Sequence, residues 1–160
     1  MMSQKADRYW TQFVGSLPST SVPQQYYEAF SFGTSKESAN LIASLVIRGV
    51  KTATGSLQWV YESEGKSIPT PGDYSIVTDG EGEPVCIIQD IEVNIIPFNE
   101  VDEAFAWDGG EEDRTLDSWR RIYWEYIVSE CHRIQRNPTP KTPLVCERFR
   151  VVYKEPLRFE

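Results

Sequence analysis

The chain has 160 residues, of which 40% are hydrophobic and 25% charged, a composition typical of one folded domain rather than of a disordered chain. The 24 acidic residues exceed the 16 basic residues and give a net charge of −8, so strong nonspecific binding to a nucleic acid duplex is not expected. A small substrate or a locally basic groove remains compatible with this charge.

The numbers of cysteine and histidine residues exclude further classes of protein. The three cysteines, Cys86, Cys131 and Cys146, have no close spacing and make an odd number, which predicts buried, reduced thiols in a cytoplasmic protein. Because His132 is the only histidine, we expect no structural zinc site and no hydrolase built on a catalytic histidine. No apolar run is long enough to span a membrane, and the N-terminus lacks the apolar core of a signal peptide. We expect no cofactor and no metal.

Apolar residues at helical spacing predict the first part of the chain. Residues 4–15 form an amphipathic helix, and residues 24–32 form a second short helix after a loop bracketed by Pro18 and Pro23. A capping box, with Thr34 as N-cap and Glu37 three residues later, begins the best-defined helix. Gly49 ends that helix. Its predicted buried stripe consists of Ala39, Leu41, Ile42, Leu45 and Val46.

The pattern changes to strands after Gly55. A rigid corner at residues 69–73 precedes a strand, and residues 79–82 form a hairpin turn. The following strand is long and rich in β-branched residues, so it is expected to bend midway and to coil around a barrel. The predicted extended segments are 57–61, 74–77 and 84–97.

The C-terminal part is expected to contain two helices and a closing strand. Residues 98–107 are predicted as a short helix, an acidic loop follows at 108–113, and a longer helix begins at Asp113 or Thr115. The closing strand covers residues 144–153, with Glu147 among apolar residues on one face and Arg148 on the other. The predicted architecture is α+β, a small antiparallel β-barrel with flanking helices. Residues 1–24 form an N-terminal helix and linker, and residues 25–155 form the domain.

One short segment carries the main functional signal. Lys51 and Thr54 lie between Gly49 and Gly55, at the point where a helix stops and a strand begins. Gly49 can end the helix in a left-handed conformation, and Gly55 permits close approach of a chain or ligand. This spacing can place an amine and a hydroxyl in one pocket. The alternative interpretation is a helix C-cap followed by a solvated lysine.

Four ordered blocks resemble the ASCH domain family, a branch of the PUA-like RNA-interaction folds. Residues 49–54 fit its Gly-x-Lys-x-x-Ser/Thr signature. The other matching blocks are residues 69–73, the acidic stretch 111–116 leading to Trp119 and Arg120, and residues 145–149. The resemblance covers roughly residues 25–153, in the longer bacterial form of the family. It implies a β-barrel whose cleft is lined by the signature lysine and threonine.

The resemblance also implies a set of activities. Members have been linked to RNA binding, to metal-independent RNA cleavage and, in short bacterial forms, to hydrolysis of N4-acetylcytidine. In that amidohydrolase chemistry the threonine, here Thr54, is the nucleophile, the lysine, here Lys51, activates it, and a glutamate shuttles protons. Relatives read Glu-Gly-Glu-Gly-Asp in the acidic loop, whereas Gly109 replaces the first glutamate here and the second falls on Glu111. If the first glutamate is the shuttle, Asp108 or Glu111 has to take its place.

The chemistry depends on the charge of Lys51. A neutral lysine can act as a base, and its pKa is lowered by burial or by a cation such as Arg48 and raised by a carboxylate such as Glu111. A charged Lys51 can instead stabilise an oxyanion or hold a phosphate. In RNA cleavage, Glu111 would take the proton of the ribose hydroxyl. Candidate base-stacking residues are Trp59, Tyr61 and Trp107, with packing in the core or at its rim as the alternative. Candidate phosphate contacts are Arg114, Arg120 and Arg148, although for Arg148 an ion pair with an acid on an adjoining strand is the favoured interpretation.

We therefore predict an ASCH-domain protein that binds RNA or a modified nucleoside in a Lys/Thr-lined cleft. One predicted activity is that of an amidohydrolase that removes the acyl group from N4-acetylcytidine-like substrates. The alternatives are a single-stranded RNA-binding protein with metal-independent ribonuclease activity, and a non-catalytic RNA or protein interaction module. The oligomeric state is not predicted.

Overall fold

A computed structural model of the chain describes residues 4–18 and 25–154. Ten helices and strands follow one another in this part of the chain. In order they are α1 (Gln4–Gly15), β1 (Glu28–Ser31), α2 (Lys36–Ile47), β2 (Ala53–Leu57), α3 (Gln58–Glu64), β3 (Tyr74–Thr78), β4 (Pro84–Pro97), α4 (Glu103–Gly109), α5 (Leu116–Ile134) and β5 (Pro143–Lys154). A single 3₁₀ turn, Phe98–Glu100, connects β4 to α4.

The strands form one curled five-stranded sheet in the order β1-β3-β4-β5-β2, a half-barrel, and the predicted α+β class is confirmed. The pairs β3–β4, β4–β5 and β2–β5 are antiparallel, as expected, but β1 pairs with β3 in parallel. The long strand β4 pairs with β5 over most of its length, with register shifts at Ile87/Ile88 and between Asp90 and Glu92. These irregularities lie where a bend was predicted, because bulges increase the twist of a strand.

Alternating side chains of β3 and β4 supply two apolar cores on opposite faces of the sheet. Ile76 and Ile87 pack against Tyr9, Trp10 and Phe13 of α1. Their neighbours Val77, Cys86 and Ile88 pack on the other face against Ile42, Ala43 and Val46 of α2. A third core joins α4 and α5 to β2 and β5 and contains Phe105, Trp119, Tyr123, Ile127 and Leu144. The helices thus cover both faces, and the second and third cores flank the segment that carries Lys51.

Two predicted elements have the wrong type. The helix predicted at residues 24–32 is β1, which begins at Glu28, and Gln24 lies outside the described residues. The extended segment predicted at 57–61 is the helix α3, which Gly65 ends in a left-handed conformation. Both segments are short and rich in aromatic residues, and the periodicity of so short a segment does not distinguish a helix from a strand.

Boundaries and faces also differ from the expectation in detail. Leu41, predicted to be buried, is 61% exposed. Asp108 and Gly109, assigned to a loop, form the last turn of α4, and the helix predicted at 98–107 is split into the 3₁₀ turn and α4. Thr115 is the N-cap of α5, as predicted. The three cysteines are buried free thiols, as expected, and within the described residues no helix combines the length and apolar character needed to cross a membrane.

The N-cap of α2 is Ser35 rather than Thr34. The Ser35 hydroxyl accepts a hydrogen bond from the Ser38 backbone N–H at 3.1 Å. In return, the Ser38 hydroxyl accepts from the backbone N–H of Ser35 at 3.0 Å and of Thr34 at 3.1 Å. The capping box is therefore shifted by one residue, and Ser38 takes the part predicted for Glu37.

We expect Ser35→Ala to destabilise the protein by about 1 kcal/mol, because it removes the acceptor for an otherwise unpaired N–H of the first turn. Thr34→Ala is the matched control and should change the free energy of unfolding by less than about 0.5 kcal/mol. Urea denaturation of both variants makes the comparison. An equal loss in the two variants would contradict the assignment of Ser35 as N-cap.

Candidate functional site

Backbone hydrogen bonds hold the segment after α2 from three sides. Gly49 leaves the helix with a φ of 75°, as predicted, and the N–H groups of Val50 and Lys51 both donate to the carbonyl of Leu45, at 2.9 and 3.1 Å. Thr52 donates to the carbonyl of Asp108 at 2.8 Å and accepts from Phe149 at 3.0 Å. The end of α2, the end of α4 and strand β5 therefore fix the direction in which the Lys51 side chain leaves the backbone.

Lys51 is buried, with 1% of its surface exposed, so the alternative of a solvated lysine is wrong. Its amine donates to Glu111 Oε2 at 3.0 Å and to the carbonyl oxygen of Gly109 at 3.2 Å. The amine also lies 5.6 Å from the centre of the Phe32 ring, on the ring face. A charged amine inside a protein needs such partners, since an uncompensated buried charge is costly.

The charge of Lys51 follows from a balance of opposing effects. Burial acts to lower its pKa, whereas the Tyr123 phenol and the Glu111 carboxylate raise it, and the pKa lies above its ordinary value. Lys51 is therefore an ammonium group at neutral pH. Arg48, which was expected to lower this pKa, is exposed, and its side chain instead donates to the carbonyl of Ser44 in α2 at 3.4 Å.

The acidic loop reaches Lys51 because Gly110 permits a very close approach. Gly110 has a φ of 72°, and a Cβ atom built on it would lie 2.7 Å from the Val50 carbonyl oxygen and 2.9 Å from the Lys51 Cα. Residues with a side chain are thus excluded by both conformation and space. This contact brings Glu111, the next residue, over the lysine.

The structure distinguishes between the two carboxyl candidates of the loop. Glu111 pairs with Lys51, whereas Asp108 pairs with Arg148. Gly109, at the position where relatives carry a glutamate, contributes its carbonyl to Lys51, and a Cβ there would lie 3.4 Å from the Trp119 ring. Glu111 is therefore the carboxylate at the amine.

Thr54 lies on β2, mostly buried, with 9% of its surface exposed. Its hydroxyl oxygen is 3.5 Å from the Tyr123 hydroxyl. The Tyr123 ring stacks on Trp119 at 4.4 Å between ring centres, and a Cβ on Gly55 would lie 3.4 Å from it. Gly55 thus permits the approach of an aromatic ring of α5, which positions Tyr123 beside Thr54.

Lys51, Thr54 and Glu111 line one cleft of about 570 Å³. Its apolar lining consists of Phe30, Phe32, Ile42, Ile88, Ile122 and Phe149. Among the described residues that line it, Lys51 is the only base, whereas the acids are Glu28, Glu111, Glu125, Glu130 and Glu147. The cleft is apolar on its walls and acidic in its charge.

Two carboxyl groups near Thr54 were not identified as site residues from the sequence. Glu147 of β5 lines the cleft directly opposite Thr54 of β2 in the strand register, and Asp90 of β4 is buried beside it. Burial, followed by the interaction with Asp90, raises the pKa of Glu147. Burial also raises the pKa of Asp90, although the hydrogen bond with Glu147 opposes this. The available signal was a glutamate on the apolar face of a strand.

None of the six predicted binding residues lines the cleft. Trp59 lies under the Arg136 guanidinium, 3.9 Å from the ring centre, and Tyr61 is buried, which raises its pKa. Arg120 has a buried Nε without a hydrogen-bond partner among the described residues. These three residues, together with Arg48, remain predictions as binding residues.

Trp107 and Arg114 form a separate surface feature beside the Lys51 segment. Trp107 is 56% exposed, and the Arg114 guanidinium stacks 3.8 Å from its ring centre. Arg114 also donates to the carbonyl of Trp107 at 2.8 Å and to that of Val50 at 3.5 Å. Arg148 pairs with Glu92 on the adjoining strand, as the favoured interpretation predicted, and also with Asp108.

The described residues contain no group of three or more histidine, cysteine or carboxylate side chains placed to hold a metal ion.

The model of the ASCH domain family matches residues 28–153. No protein with a curated description matches the chain significantly.

Solved structures give further matches. The ASCH domain from Lactobacillus crispatus JV V101 is 30% identical, with a TM-score of 0.87 over 95% of this chain and 96% of that one. A protein from Enterococcus faecalis V583 is 32% identical, with a TM-score of 0.82 over 94% of this chain and 90% of that one. A hypothetical protein at 16% identity and a TM-score of 0.50, over 80% of this chain and 100% of that one, shares the fold alone.

We expect Gly110→Ala to destabilise the protein by about 2 kcal/mol or more, because the new methyl group meets backbone atoms of Val50 and Lys51 in addition to the strain of a positive φ. Gly49→Ala is the matched control, since its φ of 75° is nearly the same and nothing lies within 4 Å of the added Cβ. Chemical denaturation measures both. Equal losses would show that the close approach of the loop contributes nothing.

We expect Glu147→Gln to stabilise the protein above the ordinary glutamate pKa. Because the pKa of Glu147 is raised on folding, its contribution is fully present below the unfolded pKa and is lost as the pH rises toward the folded pKa. Glutamine removes this loss, so the variant should gain at least ~1 kcal/mol over wild type between pH 5 and pH 8. Free energies of unfolding across this range test it, with the exposed Glu100→Gln as control. A constant difference between variant and wild type would contradict the raised pKa.

Proposed function

The chain belongs to the ASCH domain family, a PUA-like family, and on this premise we propose that it is an amidohydrolase that removes the acyl group from N4-acetylcytidine or a similar N-acylated nucleoside. The observation that carries the proposal is the ion pair of the buried Lys51 with Glu111 in the same cleft as Thr54. A hydroxyl nucleophile needs a group that takes its proton, and a paired amine and carboxylate can do this.

The raised pKa of Lys51 determines how the pair would act. Lys51 is already protonated, so it accepts the proton of Thr54 only as it passes one of its own to Glu111, 3.0 Å away. The Thr54 oxygen then bonds to the acyl carbon. The ammonium group of Lys51 stabilises the negative charge that develops on the acyl oxygen.

The remaining steps return the proton. When the carbon–nitrogen bond of the amide breaks, the pair gives the proton to the leaving nitrogen, and the acyl group stays on Thr54 as an ester. Water hydrolyses this ester and releases the acid. Tyr123, whose hydroxyl is 3.5 Å from that of Thr54, is placed to orient the nucleophile.

The charge of the cleft supports an uncharged substrate. The described residues that line it include five acids and one base, and the base is already paired with Glu111. A phosphodiester would meet repulsion from these carboxylates, whereas a nucleoside offers hydroxyl and N–H donors that carboxylates accept. The apolar walls, with Phe32 and Phe149, suit an aromatic ring.

A second candidate, single-stranded RNA binding with or without cleavage, is favoured by a different observation. The exposed Trp107 ring with Arg114 stacked on it offers a surface on which a base can stack, beside the Lys51 segment and outside the acidic cleft.

The cytoplasmic location stays a prediction.

We expect wild type to release cytidine from N4-acetylcytidine and Thr54→Ala to lose this activity by at least about a hundredfold, because the nucleophile is gone. Glu111→Gln should lose a comparable amount, since an amide cannot take the proton. Thr52→Ala is the matched control. Thr52 lies two residues away, and its side chain does not line the cleft. Chromatography of the released cytidine measures all four proteins.

Activity that survives in Thr54→Ala would exclude the threonine mechanism. If wild type releases no cytidine, the amidohydrolase proposal fails, and titration with a short single-stranded RNA tests the second candidate. In that case Trp107→Ala should weaken the binding about tenfold, because a stacked base is lost.

A further inference from the structure

Glu147 occupies a position beside the proposed nucleophile that the reaction steps above leave unused. It is the direct partner of Thr54 in the antiparallel register of β2 and β5, and both side chains line the cleft. Side chains of directly opposed residues lie on the same face, with Cβ atoms roughly 4.5–5.5 Å apart. The Glu147 carboxyl group is therefore within reach of the atoms next to a bond that Thr54 attacks.

No cation neutralises this carboxyl group. Among the described residues, Glu147 and Asp90 make no ion pair, and the amine of Lys66, whose charge reaches Glu147, is already paired with Glu28. The groups that act on Glu147 and Asp90 are otherwise the acids Glu28 and Asp73 and each other. Two carboxyl groups in such a setting cannot both ionise readily, so they share a proton.

A carboxyl group that holds a proton has a different hydrogen-bonding capacity from a carboxylate. It offers an O–H donor and a C=O acceptor side by side in one plane. This pair matches a ligand edge on which an N–H donor lies beside an acceptor nitrogen. An acylated aminopyrimidine has such an edge: the amide N–H and the neighbouring ring nitrogen N3.

We propose that Glu147 recognises the substrate by two parallel hydrogen bonds, accepting from the amide N–H and donating to the adjacent ring nitrogen of an N-acylated aminopyrimidine. This inference rests on the proposed function, because it says which edge of the proposed substrate the cleft binds. The amide nitrogen is bonded directly to the acyl carbon, so the edge held by Glu147 adjoins the bond that breaks. Asp90 acts through Glu147 as a positioning residue, since it accepts the hydrogen bond of the protonated Glu147 carboxyl group when the ligand is absent.

This arrangement explains why Glu147, which lines the cleft, is kept beside the buried Asp90. A purely structural role would favour a cation between the two acids or an apolar residue, because an unneutralised pair is destabilising. Groups that are held at a cost to stability are commonly those used in binding or catalysis.

The test compares two substrates that differ at one ring atom. N4-acetylcytidine has the acceptor N3, and its 3-deaza analogue has a C–H there. Wild type should hydrolyse N4-acetylcytidine with a kcat/KM at least about tenfold higher, because the analogue leaves the donor of Glu147 unpaired. Glu147→Met should lose most of this preference, by lowering kcat/KM more for N4-acetylcytidine, which loses two hydrogen bonds, than for the analogue, which loses only the one from its amide N–H. Glu147→Gln should restore much of the preference, since its amide also carries a donor beside an acceptor.

Three results would overturn the inference. Equal losses on both substrates in Glu147→Met would indicate a structural role, with Glu147→Ala as a second variant if the first does not fold. Loss of activity in Glu147→Gln as deep as in Glu147→Met would indicate proton transfer by Glu147 rather than recognition. Equal kcat/KM values of wild type for the two substrates would show that the ring nitrogen N3 makes no contact with Glu147.

The inference can fail separately from the proposed function. If wild type hydrolyses neither substrate, the same edge is tested by calorimetric titration of cytidine and 3-deazacytidine. Tighter binding of cytidine to wild type and to Glu147→Gln, but not to Glu147→Met, would support recognition without hydrolysis. Equal affinities in wild type would overturn the inference.

Discussion

The structure around the cleft depends on one constraint, the need to satisfy the buried charge of Lys51. Because the amine is cut off from water, it needs an acceptor and a counter-charge inside the protein, and the Gly109 carbonyl and the Glu111 carboxylate supply them. Gly110 is required because no larger residue fits between this loop and the lysine backbone. The loop after α4 and the loop after α2 are therefore coupled through a single side chain.

A second, opposite electrostatic arrangement lies across the cleft. Near Lys51 the charge is compensated by Glu111, whereas Glu147 and Asp90 lie together without an ion-pair partner in the part of the chain that the structure describes. Thr54 stands between the two, since it shares a cleft with Lys51 and a strand register with Glu147. The Thr54 hydroxyl therefore has the Lys51–Glu111 pair, which can transfer a proton, on one side and Glu147, which can bind the ligand, on the other. Such an arrangement can orient a substrate for reaction at one bond.

Stability and function are distributed differently over the three apolar cores. The core under α1 packs aromatic rings against the outer face of the sheet and takes no part in the cleft. The cores under α2 and α5 each send residues into it, such as Phe32 and Phe149 from one and Tyr123 from the other. The cleft is lined by residues of both cores, so its width depends on how α2 and α5 pack against the sheet.

The sequence by itself determined the parts that depend on neighbouring residues: the end of α2 at Gly49, the strands β3 and β4, and the placing of Lys51 and Thr54 on one short segment. Only the tertiary structure decided which partners these residues meet. It selected Glu111 over Asp108, brought Glu147 opposite Thr54, and made a strand of β1. The physical reason is that capping and periodicity act over a few residues, whereas strand register and the burial of charge join residues far apart in the chain, such as Thr54 and Glu147, which are 93 positions apart.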